Sequence, residues 1–104
     1  MNFDHIRAWI KAEIIGVHEE RDADERLRVL VVGDDVEILT VFARAIHEIG
    51  HTVTVARSGN SAGRILRERA VDLLITDIIM PDGDGATLIS EAQRLQPMPV
   101  VENP

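Results

Sequence analysis

The apolar positions of this chain change their period along its length. Over residues 1–20 they recur three and four apart, at Phe3, Ile6, Ile10, Ile14 and Val17, and Trp9 widens the stripe. That spacing predicts an amphipathic helix. Arg7, Lys11 and Glu19 fall away from the stripe, and Asn2 or Asp4 can cap the start. A stripe of this kind marks a buried face without naming what covers it. Its own domain, another protein and a second copy all stay open.

Residues 19–26 read Glu-Glu-Arg-Asp-Ala-Asp-Glu-Arg and have no apolar period. They read as a solvated helix end followed by a charged linker over 21–26. From Leu27 the pattern alternates between short β-branched runs and helical spacing. Arg28 to Val32 predicts a strand buried on both faces. Val36 to Ile49 predicts a helix with Ile38, Leu39, Phe42, Ala45, Ile46 and Ile49 inward, ended by Gly50. Thr52 to Ala56 predicts a strand, and Ser58 caps a helix running to about Arg69. Val71 to Thr76 predicts a third strand, Ala86 to Leu95 a third helix, and Val100-Val101 the start of a fourth strand. Pro81-Asp82-Gly83-Asp84-Gly85 reads as a loop.

The sum is an extra N-terminal helix over 1–20, then β-α-β-α-β-α-β over 27–104. Alternation of this kind gives an α/β fold with a doubly wound parallel sheet, because each right-handed crossover returns the chain to the same sheet. At 104 residues there is room for one such domain. Cysteine is absent, which excludes disulfides, thiolate metal sites and thiol nucleophiles. No apolar run approaches the length of a membrane helix, and the N-terminus has no signal-peptide pattern. These features lead us to expect a cytoplasmic protein with no membrane partner. The net charge of -7 argues against direct contact with nucleic acid.

In doubly wound sheets, sites form at the carboxyl ends of strands. This points to Gly33-Asp34-Asp35 after the first strand and to Asp77 after the third. Carboxylates gathered at a sheet edge repel one another unless a cation sits among them. Mg²⁺ suits the place: it is hard, takes oxygen ligands, and needs few carboxylates alongside water and phosphate oxygens. A carboxylate beside it can attack a phosphoryl group. Asp35 also has the place of a helix cap ahead of Val36.

The segments Leu30-Val31-Val32-Gly33-Asp34-Asp35-Val36-Glu37-Ile38-Leu39 and Val71 to Gly85 resemble the first acidic turn and the phosphoacceptor region of response-regulator receiver domains. Ala56-Arg57-Ser58-Gly59 fits the same family, and the resemblance covers about residues 27–101. It implies a flavodoxin-like receiver fold and a role in two-component phosphorelay signalling. By resemblance, Asp77 is the phosphoacceptor, and Asp34, Asp77 and the backbone carbonyl of Ile79 hold Mg²⁺, with Asp35 a further candidate. The phosphoryl donor would be a histidine kinase or phosphotransfer protein. The chain would act as a stand-alone module through protein contacts, and would not be a turnover enzyme.

The chain also departs from the family pattern. Receivers usually carry two acidic residues directly after the first strand. Alignment on Glu37-Ile38-Leu39 places Gly33 at the first of these and Asp34 at the second. A one-residue slip would pair Asp34 with Asp35 instead. With Gly33 in place, Mg²⁺ binding should be weaker. The family's late Ser or Thr and late Lys have no counterpart, since the only lysine is Lys11 and the only hydroxyls after Asp77 are Thr87 and Ser90. A receiver shortened after its fourth strand leaves a sheet edge and helix faces uncovered. We therefore expect the N-terminal helix to cover part of that surface, or the chain to form a homodimer through that helix or the open edge. The alternative function is a degenerate receiver acting as a phosphorylation-independent interaction or dimerisation module.

His47-Glu48-Ile49-Gly50-His51 matches the H-E-x-x-H zinc-protease pattern. Gly50 should end the helix between the two histidines, and the longer pattern would need Gly at Thr54 and His at Arg57. Asp82-Gly83-Asp84-Gly85 fails as a calcium loop because Ala86 takes the third ligand position. No Gly-Lys-Ser/Thr phosphate loop occurs, and His5 and His18 read as exposed surface residues.

Overall fold

The computed structural model describes residues 3–19, 25–77 and 85–103. Its elements, in chain order, are α1 (Phe3–His18), β1 (Arg28–Val32), α2 (Val36–Ile49), β2 (Thr52–Ala56), α3 (Gly59–Glu68), β3 (Leu73–Asp77), α4 (Gly85–Leu95) and β4 (Val100–Asn103). The four strands form one parallel sheet in the order β2-β1-β3-β4.

Strand alternation sorts the core into two layers. Val29 and Val31 of β1 and Leu73 and Ile75 of β3 face one side, with Leu39, Phe42, Ala45 and Ile46 of α2. Leu30, Val32 and Leu74 face the other, with Ala62 and Leu66 of α3 and Leu88 and Ala92 of α4. The two central strands are thus buried on both faces, which explains their unbroken apolar sequences. β2 lies at an edge, and its Thr-Val-Thr-Val pattern leaves Thr52 and Val55 exposed.

Crossover handedness explains the place of α1. The chain moves from β1 outward to β2, then back across β1 to β3 and on to β4. Right-handed connections put helices on opposite faces for opposite directions of travel. α2 therefore takes one face, and α3 and α4 the other. Four strands at about 4.8 Å spacing are wider than one helix of about 10 Å diameter. α1 supplies the second helix: its Ile6, Ile10, Ile14 and Val17 are buried in the same core as α2, and Val101 of β4 packs against that core. Each fully buried side chain of this kind contributes roughly 1.5–3 kcal/mol. The α1–α2 seam adds Trp9 tilted against Phe42, with ring centroids 5.8 Å apart, and the Arg44 guanidinium 4.8 Å over the Phe3 ring. The stripe of α1 is thus covered by the chain's own core.

Several boundaries differ from expectation for identifiable reasons. β3 begins at Leu73 rather than Val71. The Val71 N–H donates to Gln96 Oε1 at 2.9 Å, and Asp72 is held at the head of β1. There the Asp72 carboxylate accepts from the Arg28 backbone N–H at 2.8 Å and from its guanidinium at 2.9 and 3.1 Å. β4 runs through Asn103, longer than the start read from Val100-Val101, because it pairs with β3 from Leu74↔Val100 to Asp77↔Asn103. His18 is half-buried, not exposed: its Nε2 donates to the Glu25 carbonyl at 3.1 Å, and its ring lies against that of His51. Most of the charged stretch, residues 20–24, and the loop before α4, residues 78–84, lie outside the described residues.

Candidate functional site

The sheet order reverses between β1 and β3: β1 connects outward to β2, and β3 connects the opposite way to β4. Loops leaving such a switch point diverge and open a crevice at the carboxyl ends of the two strands. The register Val32↔Thr76 brings the next residues, Gly33 and Asp77, level at that crevice. The strand ends that flank this switch point carry the two turns, after β1 and β3, named from the sequence.

Around the crevice, the backbone assigns each residue after β1 a separate task. Gly33 is buried, and its N–H donates to the Ala56 carbonyl of β2 at 3.1 Å. Asp34 is exposed, and its side chain makes no hydrogen bond or ion pair among the described residues. Asp35 caps α2: its Oδ1 accepts from the backbone N–H groups of Glu37 at 2.9 Å and Ile38 at 3.3 Å. This satisfies two of the helix's first free donors. Of the adjacent acidic pair, Asp34 is therefore the one whose carboxylate is free to meet a ligand. Asp77 is the last residue of β3. Ile79, the expected source of a carbonyl ligand, lies outside the described residues.

The only glycine of positive φ among the described residues is Gly50, at 105°. Gly33 therefore does not occupy a conformation that requires glycine. Its φ does not demand glycine, so the glycine lowers the negative charge of the crevice without being required by the backbone conformation. The exposed Asp34 carboxylate, one residue beyond the position level with Asp77, would suit a hard cation that takes one or two carboxylates and completes its shell with water and phosphate oxygens. It does not amount to a closed protein cage. No group of three metal-ligating side chains occurs among the described residues.

The zinc-protease pattern fails on geometry. Gly50 ends α2 in the left-handed conformation, so His51 leaves the helix that carries His47. His51 is buried, and its Nδ1 accepts the Leu27 backbone N–H at 2.9 Å, while His47 is exposed. The two imidazoles do not share a helical face, as that chemistry requires. Among the described residues, no helix is long and apolar enough to cross a membrane.

Comparisons with known proteins agree with this geometry. Residues 29–102 match the family model of the response regulator receiver domain. The chain is 38% identical over 74 residues to the transcriptional regulatory protein GlrR of Escherichia coli, covering 70% of this chain and 17% of that protein. It is 36% identical over 70 residues to the response regulator receiver protein CpdR of Brucella abortus, covering 67% of this chain and 58% of that protein. The chain thus spans less than two thirds of either relative. In three dimensions it resembles a CheY-like receiver domain protein from Methanospirillum hungatei, with a TM-score of 0.73 and 26% identity over 75% of this chain and 63% of that one. Sheet order, a free carboxylate at the switch point and sequence similarity over most of its length agree: the chain belongs to the response regulator receiver family.

Proposed function

We propose that this receiver takes a phosphoryl group on Asp77 from a phosphohistidine donor, a histidine kinase or phosphotransfer protein, with Mg²⁺ held beside Asp34. The observation that carries this reading is the division of labour after β1. Asp35 is engaged as the cap of α2, while Asp34 is exposed and makes no hydrogen bond or ion pair among the described residues. An exposed carboxylate with no structural task among the described residues, at a topological switch point, stands where a ligand in the crevice would meet it.

On this reading Asp34 and Asp77 would hold the cation, and the Ile79 carbonyl would be a further ligand. Mg²⁺ supplies charge neutralisation for the incoming phosphoryl oxygens. The Asp77 carboxylate attacks phosphorus, the P–N bond to the donor imidazole breaks, and an acyl phosphate forms. The chain is then a phosphoryl acceptor that signals through protein contacts, and not a turnover enzyme.

Phosphoramidate, which carries a P–N bond, tests this directly. Labelling should require Mg²⁺ and stop on chelation, and Asp34→Asn should raise the Mg²⁺ requirement at least tenfold. Labelling that is indifferent to chelation, or an Asp34→Asn variant with an unchanged requirement, would contradict the assignment. Gly33 favours a second reading, a receiver that works through protein contacts without phosphorylation, because it removes one carboxylate from the crevice. That reading predicts no labelling at any Mg²⁺ concentration.

A further inference from the structure

A second polar concavity lies at the opposite end of the sheet from Asp34 and Asp77. It is a cleft of about 390 Å³ between the C-terminal part of α1, the residues just ahead of β1, and the turn after α2. That volume falls within the range of small-molecule sites. Ile14, Ile15 and Ile49 form its apolar wall, and Ile15 is 61% exposed although it belongs to a helix whose other isoleucines are buried. Lys11 and Arg26 bring positive charge to the lining, and Glu25 is the only carboxylate among the described lining residues.

The two imidazoles in this cleft have fixed roles. The Leu27 backbone N–H can only donate, so His51 Nδ1, which accepts it at 2.9 Å, carries no proton. The neutral ring therefore holds its proton on Nε2. His51 is only 8% exposed, and its Nε2–H has no partner among the described residues. Among the described residues no fully enclosed side-chain nitrogen lacks a partner, so this N–H reaches solvent, and His51 lines the cleft. His18 is fixed in the complementary way, with Nε2 donating to the Glu25 carbonyl, and the two ring centroids lie 5.5 Å apart.

This arrangement discriminates between ligand classes. A metal ion needs the lone pair of His51 Nε2, which would move the proton to Nδ1 and set it against the Leu27 N–H. The site therefore presents a donor to its ligand and suits an acceptor. Among the described lining residues two cationic side chains stand against one carboxylate, which suits a single negative charge, and the isoleucine wall suits a short hydrocarbon body. We propose that the cleft binds a small organic monoanion, a carboxylate with a short branched or straight apolar body, held by His51 Nε2–H with Lys11 and Arg26 and packed on Ile14, Ile15 and Ile49. Such a ligand would touch both α1 and the turn after α2, and so tie the added helix to the receiver core. The inference is independent of phosphoryl chemistry at Asp77.

The test is a titration of the full chain with isovalerate at pH 7.5 and constant ionic strength, read by the imidazole resonances of His18 and His51. Isovaleramide, with the same body and no charge, is the control. The expected result is a saturable shift of both rings by isovalerate and none by the amide. Lys11→Gln, an exposed change, should weaken binding about threefold, as expected for a solvent-screened charge. His51→Asn keeps an acceptor for Leu27 while withdrawing the donor from the cleft, and should weaken binding about tenfold or more. Shifts that rise linearly without saturation, equal binding of the amide, or an unchanged affinity in Lys11→Gln would each overturn the proposal. Should His51→Asn fail to fold, the Lys11→Gln and amide results decide the matter on their own.

Discussion

At the scale of single residues, neighbouring carboxylates in this chain have separable jobs, and the separation can be measured. Asp35→Ala should lower stability by about 1 kcal/mol, the usual cost of losing an N-cap, while leaving Mg²⁺-dependent labelling in place. Asp34→Ala should leave the denaturation midpoint within about 0.5 kcal/mol of the parent and abolish labelling. Equal effects of the two substitutions on both readouts would contradict the division of labour. His51 gives a pH dependence of known sign. Burial, reinforced by His18 and Arg26, holds its pKa below the usual 6.5. As pH falls through 6.5 the unfolded chain takes up this proton first, so the folded state loses stability from there down to the lower folded-state pKa. Above 6.5 the contribution is fully present. Urea midpoints between pH 7.5 and 5.5 should therefore decline in the parent and stay flatter in His51→Asn. The Asp35 cap and the Gly50 stop were legible in sequence because each acts on its own helix end. The contact of His18 with His51 was not, since it joins distant residues through the folding of α1 onto α2.

At the scale of elements, α1 carries the most weight. Ile10 is fully buried between α1 and the sheet face. Ile10→Ala should cost about 2–5 kcal/mol, whereas Ile15→Ala on the exposed side of the same helix should be close to neutral. Removing residues 1–20 should uncover the face shared by β1, β3 and β4 and drive association, seen by light scattering. A monodisperse folded monomer after that deletion would show that α2 alone covers the face. The stripe of α1 was legible from spacing, but its partner was not, because periodicity reports burial and not what is buried against it. The β1 and β3 runs announced a parallel sheet through their unbroken apolar character. The late start of β3 is not legible in the sequence, because Asp72 and Gln96, which take over the backbone groups there, act across the fold.

At the scale of the molecule, topology selects the site. A sheet that grows outward from β1 and β3 in opposite directions opens its crevice between them, and the acidic turn after β1 meets the end of β3 there. The chain's net charge of -7 makes each further carboxylate in that crevice harder to hold without a cation. Gly33→Asp, allowed by a backbone that needs no glycine, should therefore tighten Mg²⁺ binding several-fold in a metal titration of labelling and lower stability when Mg²⁺ is withheld. The opposite order of affinities would show that the crevice does not hold the cation. The most direct measurement is the intact mass of the protein after incubation with Mg²⁺ and a small-molecule phosphodonor, beside Asp77→Ala and a complete receiver treated in parallel. The account predicts one added phosphoryl group on the parent and none on Asp77→Ala. No gain in mass while the complete receiver is labelled, or a gain that survives in Asp77→Ala, would contradict it.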